Sequence, residues 1–362
     1  MRQITPAPER STGHRLYDVQ IMASPVARVK QRFPGINVLS DVQAHALLGE
    51  FQAGIDLFNG LTAPTKHDHR WLGVCHFSSF DDDRAVAAYM KAIDMHSQEA
   101  RINLAHSLAF VDRAEEISEQ LEQVNFETLS VYDRVFYLRV KSLNDERNGQ
   151  LMVALRQAEY AWRLVQGAPE FPLLAPQLLN QLGILHGRIG RAQRALWYLD
   201  RNLELTAGED NLSVHLTRIR VLSSLGLLQQ AREEFAQLAD VPEQYRAISH
   251  VRSAELSWAE GDIEEAIRRY QEAASLARRL QQGFEEFQAS LDLAVLLARF
   301  TDSDLSETLS RAQLQISDRS DRLMYRFREI LLFLWSGQYT PAHVADELTT
   351  VSSSLNDMGL LQ

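Results

Sequence analysis

The sequence has little of what several other fold classes depend on. Its 362 residues include a single cysteine, Cys75, which excludes both an internal disulfide and a zinc site made of cysteines. It has 17 glycines and 10 prolines, and this low content disfavours an all-β protein, which needs many tight turns. Hydrophobic residues still make up 45% of the sequence, so a folded core is expected.

Long apolar runs and positive charge are also scarce. No uncharged apolar stretch of about 18 residues occurs, and no apolar segment follows the first charges, so we expect neither a membrane span nor a secretory signal. The 48 acidic residues outnumber the 37 basic ones, which gives a formal net charge of −11. Such a surface repels nucleic acid and anionic membranes, so neither is an expected partner. A cytoplasmic location suits the unpaired thiol.

What the sequence does contain is a helical pattern with regular breaks. After residue 16, apolar residues recur at spacings of three and four, as in amphipathic helices. At many breaks, a glycine is followed five residues later by an alanine. This pair occurs as Gly149/Ala154, Gly190/Ala195, Gly226/Ala231, Gly261/Ala266 and Gly337/Ala342. A sixth copy has Phe80 in place of the glycine and keeps Ala85.

Each member of the pair has a physical role. A glycine can adopt the left-handed backbone conformation that ends a helix, and an alanine one turn into the next helix lets two backbones approach closely. From Ala154 to Ala266 the successive alanines are 41, 36 and 35 residues apart, and Ala342 follows 76 residues later, or two units of 38. Further turns near Phe300-Thr301-Asp302 and Val111-Asp112 would complete about eight helical hairpins.

The repeat resembles the tetratricopeptide repeat (TPR). Residues 250–277 match it through Gly261, Ile263, Ala266, Tyr270 and Ala273; other copies match through Leu72, Gly73, Ala85, Tyr89 and Ala92, and through Leu182, Gly183, Gly190 and Ala195. The period exceeds the family's length of about 34 residues, and most copies lack its usual proline. Arrays of this kind resemble those of bacterial sensor and regulator proteins. The resemblance implies an all-α fold: an α-solenoid, wound as a right-handed superhelix, whose concave surface binds a protein or peptide.

The sequence suggests four segments. Residues 1–15 are expected to be a mobile tail, 16–60 a helical cap or small helical subdomain, 61–355 the repeat array, and 356–362 a C-terminal tail. Within 16–60 we predict one or two short helices ending at Pro34-Gly35, then a helix from Ser40-Asp41 to about Phe58. A DNA-binding helix-turn-helix would fit this length, with the basic cluster Arg28, Lys30, Gln31 and Arg32; the alternative is a cap on the array.

The array predicts a binding wall, formed by the first helix of each hairpin. Positions ten and six residues before each turn should point inward. They are Arg70, Arg139, Asn180, Leu216, Arg220, Val251, Glu255 and Phe327, with Gln177 and Ser213 one turn earlier and Arg188 beside them. Amides and guanidinium groups in this set could bind a peptide backbone or a carboxylate. Alternatively, they only keep the surface soluble, or they pair with acids such as Glu146 and Glu204.

Signals for catalysis are weak. The best metal-like cluster is His67, His69, Cys75 and His76, but on one helix His69 and His76 would lie about 10.5 Å apart along the axis, too far to share a metal ion. No phosphate-binding glycine loop or hydrolase motif occurs. We therefore expect no enzyme, cofactor or metal.

The favoured function is an adaptor or sensor for a protein or peptide, such as an acidic segment or a free C-terminus. The alternative is a peptide-responsive regulator whose N-terminal helices contact DNA or a response protein. A homodimer formed through a terminal repeat is a further arrangement that we consider.

Overall fold

The computed structural model describes residues 24–33, 36–79, 81–109, 116–168, 171–207, 211–238, 241–280, 282–301, 306–315, 319–335, 345 and 348–354. These residues form helices and contain no strand, which confirms the all-α prediction. The α-helices are α1 (Pro25–Arg32), α2 (Asp41–Leu47), α3 (Phe51–Asn59), α4 (Lys66–Ser78), α5 (Asp82–Asp94), α6 (Gln98–Leu108), α7 (Glu116–Glu122), α8 (Val131–Arg147), α9 (Leu151–Val165), α10 (Phe171–Arg188), α11 (Ala192–Leu205), α12 (Leu212–Ser224), α13 (Leu228–Ala236), α14 (Glu243–Glu260), α15 (Ile263–Arg279), α16 (Gly283–Phe300), α17 (Ser306–Leu314) and α18 (Arg319–Trp335).

The predicted turn glycines have the predicted conformation. Gly149, Gly190, Gly226 and Gly261 have φ angles of +73°, +75°, +71° and +85°. After each, the next N–H donates to the carbonyl five residues back, as from Asp262 to Ser257 at 2.9 Å. This bond satisfies a carbonyl left open at the helix end. Phe80, Gly337 and Ala342, also singled out by the repeat, lie outside the described residues.

Small residues lie where the helices of a pair approach closely. The repeat alanines Ala85, Ala154, Ala195, Ala231 and Ala266 are all fully buried, as their place in the repeat predicts. Glycines make two further close contacts. A Cβ atom added to Gly73 would lie 2.4 Å from the ring of Tyr89, and one added to Gly183 would lie 2.7 Å from Leu199. A larger side group at these positions would push the helices apart.

The protein divides into two compact units. The first comprises Met1–Ser107, Glu119–Leu129 and Gly167–Glu170, and includes α1 to α5.

The prediction of one helix from Ser40 to about Phe58 is wrong. Ser40 does cap α2, but this helix ends at Leu47, Gly49 turns the backbone with a φ of +77°, and α3 begins at Phe51. A left-handed glycine interrupts the helical hydrogen bonds there.

The second unit comprises Leu108–Ser118, Ser130–Gln166 and Phe171–Gln362. Its helices pack in sequential pairs, α8 with α9 through α16 with α17. The apolar core lies both within and between pairs: Val251 of α14, Ala266 and Tyr270 of α15, and Ala289 of α16 share one cluster. The first helices α8, α10, α12, α14, α16 and α18 also contact one another in succession. They form one layer, and this layer carries the candidate site.

Candidate functional site

The first helices of the second unit present a row of polar side chains. Within each helix these residues are mostly three, four or seven positions apart, so they lie on the same side. We call them the polar face: Arg139, Glu146, Gln177, Gln181, Arg188, Ser213, Arg220, Arg252, Glu255, Gln288, Asp292 and Arg328.

Between α8 and α10, hydrogen bonds connect arginine and amide groups. Arg139 Nη1 donates to Gln177 Oε1 at 2.9 Å, and its guanidinium lies 5.5 Å from the centroid of the Phe136 ring. Gln181 Nε2 donates to Arg139 O at 3.2 Å and to Ser142 Oγ at 3.1 Å. Burial lowers the pKa of Arg139 to about 10, so the group stays charged at neutral pH. The predicted neighbours Arg139 and Gln177 thus do lie together.

Arg188 is an arginine with a nearby acid. Its Nη1 donates to Glu146 Oε1 at 2.7 Å, from α10 to α8. The sequence left open that the arginines of the wall pair with nearby acids. This alternative holds for Arg188, because an internal ion pair offsets its charge. Glu204, the other acid considered there, pairs with Arg201 of α11, which is not part of the polar face.

Arg220 of α12 differs from both Arg139 and Arg188. Its side chain is exposed, and among the described residues it has no hydrogen-bond or ion-pair partner. The positive charges of Arg252 and Arg188 lower its pKa, and the negative charges of Glu255 and Asp292 raise it. An exposed guanidinium that makes no hydrogen bond to either of these carboxylates is available to an external anion.

The polar face continues on α14, α16 and α18. Arg252 Nη1 donates to Glu255 Oε1 at 2.7 Å, and Gln288 Nε2 donates to the same oxygen at 3.1 Å. Arg328 Nη2 lies 3.8 Å from Asp292 Oδ1. Burial raises the pKa of Asp292 to about 6, although the positive charge of Arg328 opposes the shift.

The structure corrects part of the predicted wall. Val251 is fully buried in the core between α14, α15 and α16, and Leu216 is also buried, so neither contributes to an exposed surface. Asn180 and Phe327 are half-buried, whereas Ser213 is exposed on the polar face. The predicted position ten residues before each turn therefore falls partly on the core side of the helix.

Sequence reasoning missed Gln181, Arg252, Gln288, Asp292 and Arg328. Counting nine residues back from Gly190, Gly261 and Gly337 would have selected Gln181, Arg252 and Arg328. Gln288 and Asp292 were missed because no glycine marks the turn after α16. That helix ends at Phe300, as the spacing of the repeat predicts.

The remaining candidates belong to the first unit. Arg70 is buried and donates through Nε to Asn103 Oδ1 at 2.7 Å. Cys75 is buried, and burial raises its pKa to about 12, so its thiol is not a nucleophile at neutral pH. His67 contacts Gln43, and His69 packs against Phe58. Within the described residues, no group of three or more potential ligands could hold a metal ion.

The N-terminal helices have few features suited to DNA. Arg28 of the basic cluster forms a two-armed ion pair with Glu50, one arm being Nη2 to Oε2 at 2.8 Å. Helix α3, which follows the turn at Gly49, carries Gln52, Asp56 and Asn59 but no lysine or arginine. None of the described helices is long and apolar enough to cross a membrane.

Comparison with known proteins gives a match only at the level of structure. No protein-family model matches the sequence, and no curated protein matches it significantly. The crystal structure of a Rap protein complexed with competence and sporulation factor matches with a TM-score of 0.65 at 14% identity, over 89% of both chains. The apo form of the quorum sensor NprR from B. thuringiensis matches with a TM-score of 0.51 at 14% identity, over 88% of this protein and 95% of that one. With its sequential helix pairs and the buried small residues at their crossings, the protein has the TPR-like helical-repeat fold.

Proposed function

We propose that this protein is a non-catalytic sensor or adaptor that binds an extended segment of a partner along the polar face. The observation that carries the proposal is Arg220: an exposed guanidinium, without a partner among the described residues, on a layer of adjacent helices lined with amides and ion pairs. The two similar structures give further support, since one is complexed with competence and sporulation factor and the other is a quorum sensor.

The chemistry of the face suits a peptide-like ligand with a carboxylate. Arg220 can form two parallel hydrogen bonds to a carboxylate from an acidic side group or a free C-terminus. Asn180 is half-buried and its Oδ1 has no hydrogen-bond donor among the described residues. Its amide can accept from a backbone N–H and donate to a backbone carbonyl. An extended segment offers both kinds of group at regular intervals.

Selection from a random peptide library tests the proposal. Full-length protein is incubated with decapeptides that have free C-termini, and the Kd of each enriched peptide is measured by calorimetry. The double variant Asn180→Ala/Arg220→Ala should bind more than tenfold more weakly and keep its helical circular dichroism. Glu264→Ala on the exposed side of α15 is the matched control and should bind like the wild type. Full affinity of the double variant would overturn the proposal.

The alternative regulator is tested separately. An electrophoretic mobility assay with DNA fragments at about 50 and 200 mM salt exposes any binding by the N-terminal helices, because phosphate contacts weaken steeply with salt. We expect no shift at either concentration, since α3 carries no basic residue. A salt-sensitive shift that disappears in Arg28→Ala/Arg32→Ala would favour the regulator instead.

A further inference from the structure

Five charged groups meet at the part of the polar face formed by α12, α14, α16 and α18. Arg220, Arg252 and Arg328 supply three positive charges, and Glu255 and Asp292 supply two negative ones, for a net charge of +1. Four of them, all except Arg220, also act on the hydroxyl of Tyr270, which reaches the cluster from α15. The cluster thus draws on five different helices.

Several polar atoms of the cluster are buried without partners. Tyr270 is fully buried, and among the described residues its hydroxyl has no hydrogen-bond partner. Nε of Arg252 and Nε of Arg328 also have no hydrogen-bond partner among the described residues, and Arg252 is only 7% exposed. Leaving a buried donor unpaired destabilises the protein, so a bound group that accepts its hydrogen bond is favoured. The two guanidinium Nε atoms can only donate, so this part of the polar face favours an anionic ligand over a cationic one.

We propose that Arg220, Arg252 and Arg328 form a carboxylate-binding site whose strength is set by protonation of Asp292. This inference rests on the proposed function, because it assigns one carboxylate of the bound segment to a definite place on the polar face. Arg220 makes the first contact, and Arg328, whose side chain is 26% exposed, approaches the carboxylate from the side of Asp292, 3.8 Å from its Oδ1.

The charge balance gives the direction of the pH effect. Asp292 faces Arg220 on α12, Arg252 and Glu255 on α14, Tyr270 on α15 and Arg328 on α18. When its carboxylate is ionised, it competes with the ligand for the three guanidinium groups. When it is protonated, the net charge of the five groups rises from +1 to +2 and the incoming carboxylate has no competitor at that position. Burial places its pKa at about 6, so the site should bind more tightly as the pH falls through that value.

The test uses N-acetylglycine, a minimal peptide C-terminus, against full-length protein. N-acetylglycinamide, which lacks the charge, is the matched control ligand. Arginine Nε–Hε resonances are assigned by Arg→Lys substitution at positions 220, 252 and 328 and then followed by NMR during titration. We expect N-acetylglycine to shift these resonances and the amide to leave them unchanged. Equal shifts with both ligands, or none at these three arginines, would overturn the site.

Regulation is tested by the pH dependence of the Kd. The wild type should bind N-acetylglycine about tenfold more tightly at pH 5.5 than at pH 7.5, because one opposing charge nearby is removed. Asp292→Asn should bind at both values as the wild type does at pH 5.5. Arg220→Gln changes an exposed side chain, leaves the core untouched and should weaken binding more than tenfold. This variant still tests the site if Asp292→Asn lowers the stability of the protein. An Asp292→Asn protein with the wild-type pH dependence would refute the regulatory role.

The two proposals fail separately. A peptide library without any binder, together with an intact response to N-acetylglycine, overturns the proposed function and leaves the carboxylate site standing. Library peptides that bind the double variant Asn180→Ala/Arg220→Ala more weakly, together with no response of the three arginines to N-acetylglycine, support the proposed function and overturn the carboxylate site.

Discussion

Single residues set the conformation of the turns between helices. Gly149, Gly190, Gly226 and Gly261 adopt positive φ angles at little cost because they lack a Cβ atom. His96, after α5, has a φ of +63° and is the non-glycine exception among the described residues. It lies at the same point of a turn, since the next N–H, of Ser97, donates to Ala92 O at 3.0 Å. Sequence analysis located the glycine turns for this reason and missed the one at His96.

Opposite substitutions at two turns should have opposite effects. Gly261→Ala should lower the free energy of unfolding by about 1–2 kcal/mol, because the left-handed conformation is strained for alanine. His96→Gly should raise it by up to about 1 kcal/mol, since the exposed imidazole contributes little there. Urea denaturation followed by circular dichroism measures both, and changes of the same sign would contradict the argument.

The repeat alanines tolerate no added volume. Ala266 is fully buried against Tyr270 and Ala289, so Ala266→Leu should destabilise the second unit by about 1–3 kcal/mol. Glu264, two residues earlier, is exposed, and Glu264→Leu should change stability by less than about 0.5 kcal/mol. The two variants are compared by thermal unfolding; equal melting temperatures would show that the repeat register is wrong.

Cys75 should be unreactive while the protein is folded. Its thiol is buried and its pKa is raised to about 12, so little thiolate forms at pH 8. Ellman's reagent should therefore label the thiol only as fast as the first unit opens, and immediately in guanidinium chloride. Rapid labelling of the native protein, at the rate of a free thiol, would contradict its place in the core.

At the scale of helices, glycine also permits close crossing. In α10, a Cβ atom added to Gly183 would overlap Leu199 of α11. A Cβ atom added to Gly187, one turn later, would lie 3.4 Å from Val221, which is an ordinary contact distance. The contact with Leu199 explains the glycine at position 183 of α10. The sequence located the helices and most of their ends through such residues. It missed the break at Gly49, because no alanine follows it at the repeat spacing.

The two glycines of α10 form a matched pair of tests. Gly183→Ala should destabilise the protein by about 1–3 kcal/mol, because Leu199 is fully buried and has no room to move. Gly187→Ala should be neutral or stabilise by up to about 1 kcal/mol, because alanine favours the helix. Both are measured by urea denaturation. A larger loss at Gly187 than at Gly183 would reverse the assignment of the crossing point.

The polar face shows what the sequence could and could not predict about the site. Repeat spacing identified the first helices and selected Arg139, Gln177 and Arg220 correctly as exposed or half-buried polar residues. Placing Val251 and Leu216 on the wall was an error of one residue, which turns a side group by about 100° around the helix. The cluster at Asp292 depends on contacts between helices far apart in sequence, so no local pattern indicates it.

At the scale of the whole molecule, charge opposes the proposed ligand at long range. The protein has a net charge of −11, yet the proposed site attracts a carboxylate at contact. Raising salt from about 10 to 150 mM shortens the Debye length from about 30 to 8 Å, so repulsion is screened before the ligand reaches Arg220.

This screening predicts an unusual salt effect. The association rate of an acidic library peptide, measured by stopped-flow fluorescence, should rise with salt, whereas most charge-assisted complexes form more slowly. The same peptide with its acids replaced by amides serves as the control and should show no change. An association rate that falls with salt would mean that the peptide approaches a surface with a net positive potential.

The sequential packing of the helices also has a consequence for how the protein folds. In the second unit, helices contact mainly the next one or two in the sequence, from α8 with α9 to α16 with α17. Such an arrangement has low contact order, so few distant segments must find each other before the first native contacts form. Folding can therefore nucleate at any well-packed pair, such as α14 with α15, and propagate along the unit in both directions.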